Sequence, residues 1–171
     1  GFIKNENERV APYFPAAFDP ADKLKSAMTI KDLLTMSAGI TWEEMLPQED
    51  PKNDNMNMFR SDDWLAYVLA RPMAVTPGTV FKYNSGSPIM VAAIIEKATG
   101  LRLEEFARKA LFEPLEIREF TWLKNSKGFC HAGGGLALKP MDMAKIGELV
   151  LNKGTWKGRR IISEGWIERA T

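Results

Sequence analysis

The chain has 171 residues, 45% of them hydrophobic and 26% charged, with a formal net charge of +1. That length is enough to bury a real core, and the near-neutral balance leaves no electrostatic footprint for a nucleic acid. One cysteine, Cys130, excludes an intrachain disulfide, and one histidine, His131, leaves no Cys/His spacing for a metal, so neither metal nor cofactor is expected. Cys130 reads as a small semi-buried side chain rather than a nucleophile. No apolar run is long enough to predict a membrane span. Gly1-Phe2-Ile3-Lys4-Asn5 lacks the pattern of a signal peptide.

Residues 1–28 carry Pro12, Pro15 and Pro20, and Val10 to Pro15 reads as an extended segment on a core. Thr29 opens a short helix, with Asp32 placed to complete a capping box and Gly39 as a left-handed terminator. Residues 40–60 look irregular, with Trp42, Glu43 and Glu44 followed by prolines and asparagines. A solvated excursion and a cleft wall are both open readings there. The acidic and asparagine spacing lacks the glycine and distal glutamate of a calcium loop.

Ser61 to Trp64 starts a second helix, which Pro72 ends. Pro77-Gly78 then turns into a strand-like run, Thr79 to Tyr83. An elbow, Asn84-Ser85-Gly86, follows, with Ser87 as cap and Pro88 as the first residue of a long helix. That helix is apolar nearly all round, which predicts a central buried position, and Gly100 closes it. Leu103 to Leu111 predicts another helix, and Phe120 to Leu123 a short strand. Gly133-Gly134-Gly135 permits either simple flexibility or a close backbone approach. Pro140 starts a helix to Asn152, with Met143, Ile146, Leu149 and Val150 inward and Gly154 as terminator. Lys153, Lys157, Arg159 and Arg160 read as a solvated turn and edge strand rather than a phosphate site. Ser163 caps a last helix.

Tyr83 has two readings on local grounds: the end of a strand, or a phenol held toward a cleft. Its company decides between them. The segment Thr29 to Ile40, the run Phe81-Lys82-Tyr83-Asn84-Ser85-Gly86 with Ile94 to Gly100, the stretch Ala132 to Leu136 with Asp142 to Lys145, and Asn152 to Ser163 resemble, in order, segments of the serine β-lactamase-like and penicillin-binding-protein-like hydrolases. The likeness runs over about residues 27–171 and favours the class C β-lactamase, esterase and amide hydrolase branch. It implies an α+β fold, mainly helical here: a helical lobe with a few short strands and most of the antiparallel sheet missing. It implies catalysis at Tyr83, as the group that takes and returns the nucleophile's proton, and substrate binding at Ser85 and Asn84. Ser85 stands where relatives usually have asparagine.

Seven serines occur, Ser26, Ser37, Ser61, Ser85, Ser87, Ser126 and Ser163, and none has a lysine three residues on. The family's Ser-x-x-Lys nucleophile and its Lys-Thr-Gly-type strand are therefore expected outside this sequence. Residues 1–171 would then be a single partial domain of a serine hydrolase, inactive alone. The partner would be a small-molecule or peptide substrate in the full-length protein, located in the periplasm or secreted. Exposed apolar surface on such a lobe would favour a dimer. The competing reading is a non-catalytic binding module for peptide or cell-wall ligands.

Overall fold

The structure, a computed structural model, describes residues 2–171. It is mainly helical, with eight α-helices and two small two-stranded sheets among the described residues. The chain folds as two compact units, residues up to 103 with 124–134, and residues 104–123 with 135–171. No helix is long and apolar enough to cross a membrane among the described residues.

The first unit is organised around one long helix. Its helices are α1 (Lys23–Ala27), α2 (Ile30–Leu34), α3 (Asp54–Arg60), α4 (Trp64–Leu69) and α5 (Gly86–Thr99). α5 is the predicted central helix: Ile89, Met90, Ala92, Ala93 and Ile94 are buried, and Gly100 ends it in the left-handed region. α2 and α4 pack against α5. Val10, Phe14, Met28, Leu33, Trp42, Met58, Trp64 and Val68 complete the same core.

α2 has the expected capping box, with Thr29 and Asp32 each accepting from the other's backbone N–H. Its end differs from the sequence reading. Ser37 N–H reaches Asp32 O and Met36 N–H reaches Leu33 O, with Met36 in the left-handed region. That is a Schellman ending in which a methionine takes the position usually given to glycine. Gly39 serves a different need. Its φ is +78°, and a Cβ there would lie 2.4 Å from Val75 O. The close approach lets Ala74 N–H bond Gly39 O at 2.7 Å, beside the Ile40–Met73 bridge and the Thr41 N–H to Pro72 O bond.

Three other local readings change. Ala11–Tyr13 is a 3-10 turn, because Tyr13 N–H bonds Val10 O instead of extending. Part of the irregular stretch is helical: Asn53 caps α3 by accepting from Met56 N–H, and burial of Met58 outweighs the poor propensity of the asparagines. Thr79 to Tyr83 forms no strand. Its β-branched and aromatic residues suit one, yet beyond the turn bond from Thr79 N–H to Thr76 O the segment has a single backbone bond, Lys82 N–H to Met36 O. Without a ladder, propensity alone does not make a strand. Val80 and Phe81 consequently stay exposed.

The second unit has its own small core of Phe112, Leu115, Ile117, Leu149 and Trp156. α6 (Leu103–Ala107) leads into a π turn at Arg108–Phe112. β1 (Phe120–Trp122) pairs antiparallel with β2 (Leu136–Leu138), and α7 (Pro140–Leu151) begins at Pro140 as expected. Leu149 faces inward, but Met143 is exposed. Lys153 takes the left-handed position at the end of α7. β3 (Thr155–Trp156) and β4 (Arg159–Arg160) pair antiparallel, with β4 at the expected edge strand, and α8 (Glu164–Ala170) is the last helix.

Candidate active site

Three separated segments of the first unit meet at the start of α5: residues 42–44, 83–86 and 131–133. The pairing of 39–41 with 72–75 aims Trp42 into the core, where it is 1% exposed. Gly86 makes room for it, since a Cβ at Gly86 would lie 2.9 Å from the Trp42 ring. Tyr67 packs edge-on against the same indole at 6.2 Å.

The elbow is held from within. The Asn84 amide donates to Lys82 O at 3.0 Å, and its side-chain oxygen accepts from Ser87 N–H at 2.7 Å. Asn84 is therefore the residue whose side chain caps α5. Ser87, read as the cap from sequence, lies inside the helix and is fully buried. Pro88 falls two residues into the helix rather than at its first position. The structure thus places the three site residues differently. Tyr83 is half exposed at the bend, Ser85 is mostly buried behind it, and Asn84 is buried and engaged with backbone.

Glu44 is the residue of the elbow that sequence reasoning missed. Its carboxylate accepts Trp42 Nε1–H at 2.6 Å, Ser85 N–H at 2.7 Å and the Ser85 hydroxyl at 3.2 Å. It clasps the elbow to the start of the irregular stretch, while Met45, Pro47, Gln48 and Glu49 beyond it are exposed. The far end of the stretch is pinned as well. Asp54 accepts from Glu43 N–H, Tyr67 Oη and Arg71 Nη1 at 2.7–2.8 Å. Lys82 pairs with Glu43 across the same stretch, and this pair holds the Glu43 carboxyl below its ordinary range. Both partners are exposed, so the pair adds little stability.

His131 sits in an aromatic slot, 4.8 Å from the Phe59 ring and 5.5 Å from Trp64. Burial pushes its imidazole below 6.5, partly offset by the Gly134 backbone and the Glu44 charge. Gly133 lies against both groups, since a Cβ there would be 3.4 Å from the imidazole and 3.5 Å from Ser85 O. Those are ordinary contact distances; the close approach that the glycine run permits is at Gly135, whose φ is +71° and where a Cβ would lie 2.6 Å from Leu123 Cβ. Cys130, fully buried beside it, is not presented as a nucleophile.

The lowered imidazole pKa has a stability consequence with a definite sign. The unfolded chain takes up the proton near pH 6.5, and the folded chain takes it up only at lower pH. Stability is therefore full above pH 6.5 and falls as the pH drops toward the folded value, with a slope of at most about 1.4 kcal/mol per pH unit. The lowered carboxylates Glu8, Glu43, Asp63, Glu116 and Glu164 start from 4.5 or 3.8 and act only further down. Urea titrations at pH 7.5, 6.5 and 5.5 should show the midpoint falling over that window, and His131→Phe should flatten the fall. An equal fall in the variant would assign it elsewhere.

Solved structures share this fold. One is a Bacillus anthracis protein provisionally named a 6-aminohexanoate-dimer hydrolase, with TM-score 0.83 and 20% identity over 98% of this chain and 46% of that one. Another is an octameric penicillin-binding protein homologue from Pyrococcus abyssi, with TM-score 0.65 and 21% identity over 96% of this chain and 42% of that one. Residues 5–155 match the Beta-lactamase family, and the chain belongs to it. A 6-aminohexanoate-dimer hydrolase of Paenarthrobacter ureafaciens is 35% identical over 170 residues, covering 93% of this chain and 42% of that protein. The chain thus spans less than half the length of each of these relatives.

Proposed function

We propose that this chain supplies the base-side wall of the cleft in a β-lactamase-type serine hydrolase. The observation that carries the reading is the placement of Tyr83: a half-exposed phenol on an elbow fixed by Asn84 and Glu44, in a chain of this family. The reaction is opening of an amide, ester or β-lactam through an acyl-enzyme. Tyr83 takes the proton of the serine nucleophile as that oxygen attacks the carbonyl, then returns it to the leaving group. Ser85 orients the substrate, and Asn84 serves by holding the bend. Activity outside the cytoplasm belongs to the same reading.

The nucleophile comes from outside this sequence, since no serine here carries a lysine three residues on. The chain by itself is therefore inactive in acylation, because the other groups do not replace the serine. Incubation with a fluorophosphonate or a penicillin, followed by intact mass spectrometry, should leave the mass unchanged. A stoichiometric adduct mapped to any serine of these 171 residues would overturn the proposal.

A further inference from the structure

The Ser85 hydroxyl has its hydrogen-bonding role fixed by its neighbour. A carboxylate offers acceptors only, and a serine hydroxyl has one proton to give and two lone pairs. Glu44 Oε2 already takes the Trp42 indole N–H and the Ser85 amide N–H, while Oε1 faces Ser85 Oγ. The proton between those two oxygens must be the serine's. What remains of the hydroxyl is acceptor capacity alone.

An asparagine at this position would present an acceptor and two donors together. Serine beside an apolar neighbour could turn to suit either kind of group. Serine clasped by Glu44 cannot, because turning would set lone pairs against a carboxylate. Ser85 keeps 8% of its surface exposed, and a hydroxyl needs to show only one lone pair to accept. Trp42 holds the carboxylate in turn, and Gly86 and Tyr67 hold Trp42.

We infer that Glu44 is a positioning residue that commits Ser85 to accepting, so that the cleft selects substrates presenting an N–H at this point: an amide over its matching ester. The inference rests on the cleft reading above.

Glu44→Gln tests it because the two side chains have the same shape. The glutamine carbonyl oxygen must face the two N–H donors, which leaves its NH₂ facing Ser85 Oγ. The hydroxyl then accepts from the glutamine, and its own proton turns outward as a donor. The protein that joins this chain to its nucleophile is assayed on an amide and an ester with the same acyl group. The amide-to-ester ratio of kcat/KM should fall about tenfold in Glu44→Gln, the scale of one hydrogen bond. Ser85→Ala should lower the same ratio, and adding Glu44→Gln to Ser85→Ala should change it no further.

An unchanged ratio in Glu44→Gln, or equal losses on both substrates, would overturn the inference; equal losses would mean that the hydroxyl serves the protein's own groups. In the same protein, the Trp42 indole ¹H–¹⁵N resonance should move upfield in Glu44→Gln as its acceptor loses charge. A resonance that stays in place would mean the clasp does not exist. Failure of the cleft reading has a separate signature: Tyr83→Phe would leave turnover of both substrates intact.

Discussion

Tyr83→Phe, made in the protein that joins this wall to a serine nucleophile, is expected to lower kcat/KM by about 10²–10⁴-fold, the usual range for removing a positioned acid–base group. The melting temperature should hardly move, because Tyr83 is half exposed and the ring is retained. The combination is diagnostic. A residue that merely ended a strand would lose neither rate nor stability, and one that propped the core would lose both. In the proposed mechanism the proton has to leave the serine as its oxygen attacks and has to reach the leaving group as the bond breaks. A phenol does both from one place. Steady-state kinetics beside a thermal melt decide the matter, and a loss smaller than tenfold would hand the proton to another group.

The second large effect falls on stability. Trp42→Ala should cost about 3–5 kcal/mol, the range for deleting a buried large aromatic side chain. Trp42 is 1% exposed, fills the space left by Gly86, packs edge-on against Tyr67 and donates to Glu44. Its removal opens a cavity at the start of α5 and takes away one of the three donors on the Glu44 carboxylate. Trp42→Phe restores most of the volume and none of the hydrogen bond, so it separates the two contributions. Urea unfolding of the three proteins provides the values, and a cost below about 1 kcal/mol for the alanine variant would show that the site collapses around the gap.

Much of the helical frame was legible because its signals are local. The Thr29 and Asp32 capping box, the apolar run of α5 with Gly100 behind it, and Pro140 at the head of α7 each state their own structure within a few residues. The misreadings share a physical cause. Thr79 to Tyr83 has strand chemistry but no ladder to join. Met36 and Lys153 take left-handed positions that glycine preference would assign to Gly39 and Gly154. Those two glycines are needed instead for close approaches to Val75 O and Ile162 O, and no local pattern announces such contacts. Met143 obeys the helical period of α7 yet meets no core.

The site divides the same way. Tyr83 and Ser85 were singled out through an ordered likeness spread along the chain; the Beta-lactamase match bears out the family, and the roles of the two residues remain a proposal. Glu44 was not, because nothing in the spacing of Trp42-Glu43-Glu44 connects it to a serine far along the chain. Only the fold, through the pairing of 39–41 with 72–75, carries the carboxylate to the elbow.

The stretch between Glu44 and Asp54 is pinned at both ends, by the clasp on Ser85 and by the Tyr67–Arg71–Asp54 cluster. Its loss of conformational freedom therefore belongs to folding, where ordering a residue's backbone costs on the order of 1–2 kcal/mol. In the proposed cleft, a ligand that meets this stretch would find it already ordered and would not bear that cost again. On that proposal a substitution at Asp54 would weaken binding at the elbow through entropy, by loosening the far end of the stretch, without removing any group of the elbow itself.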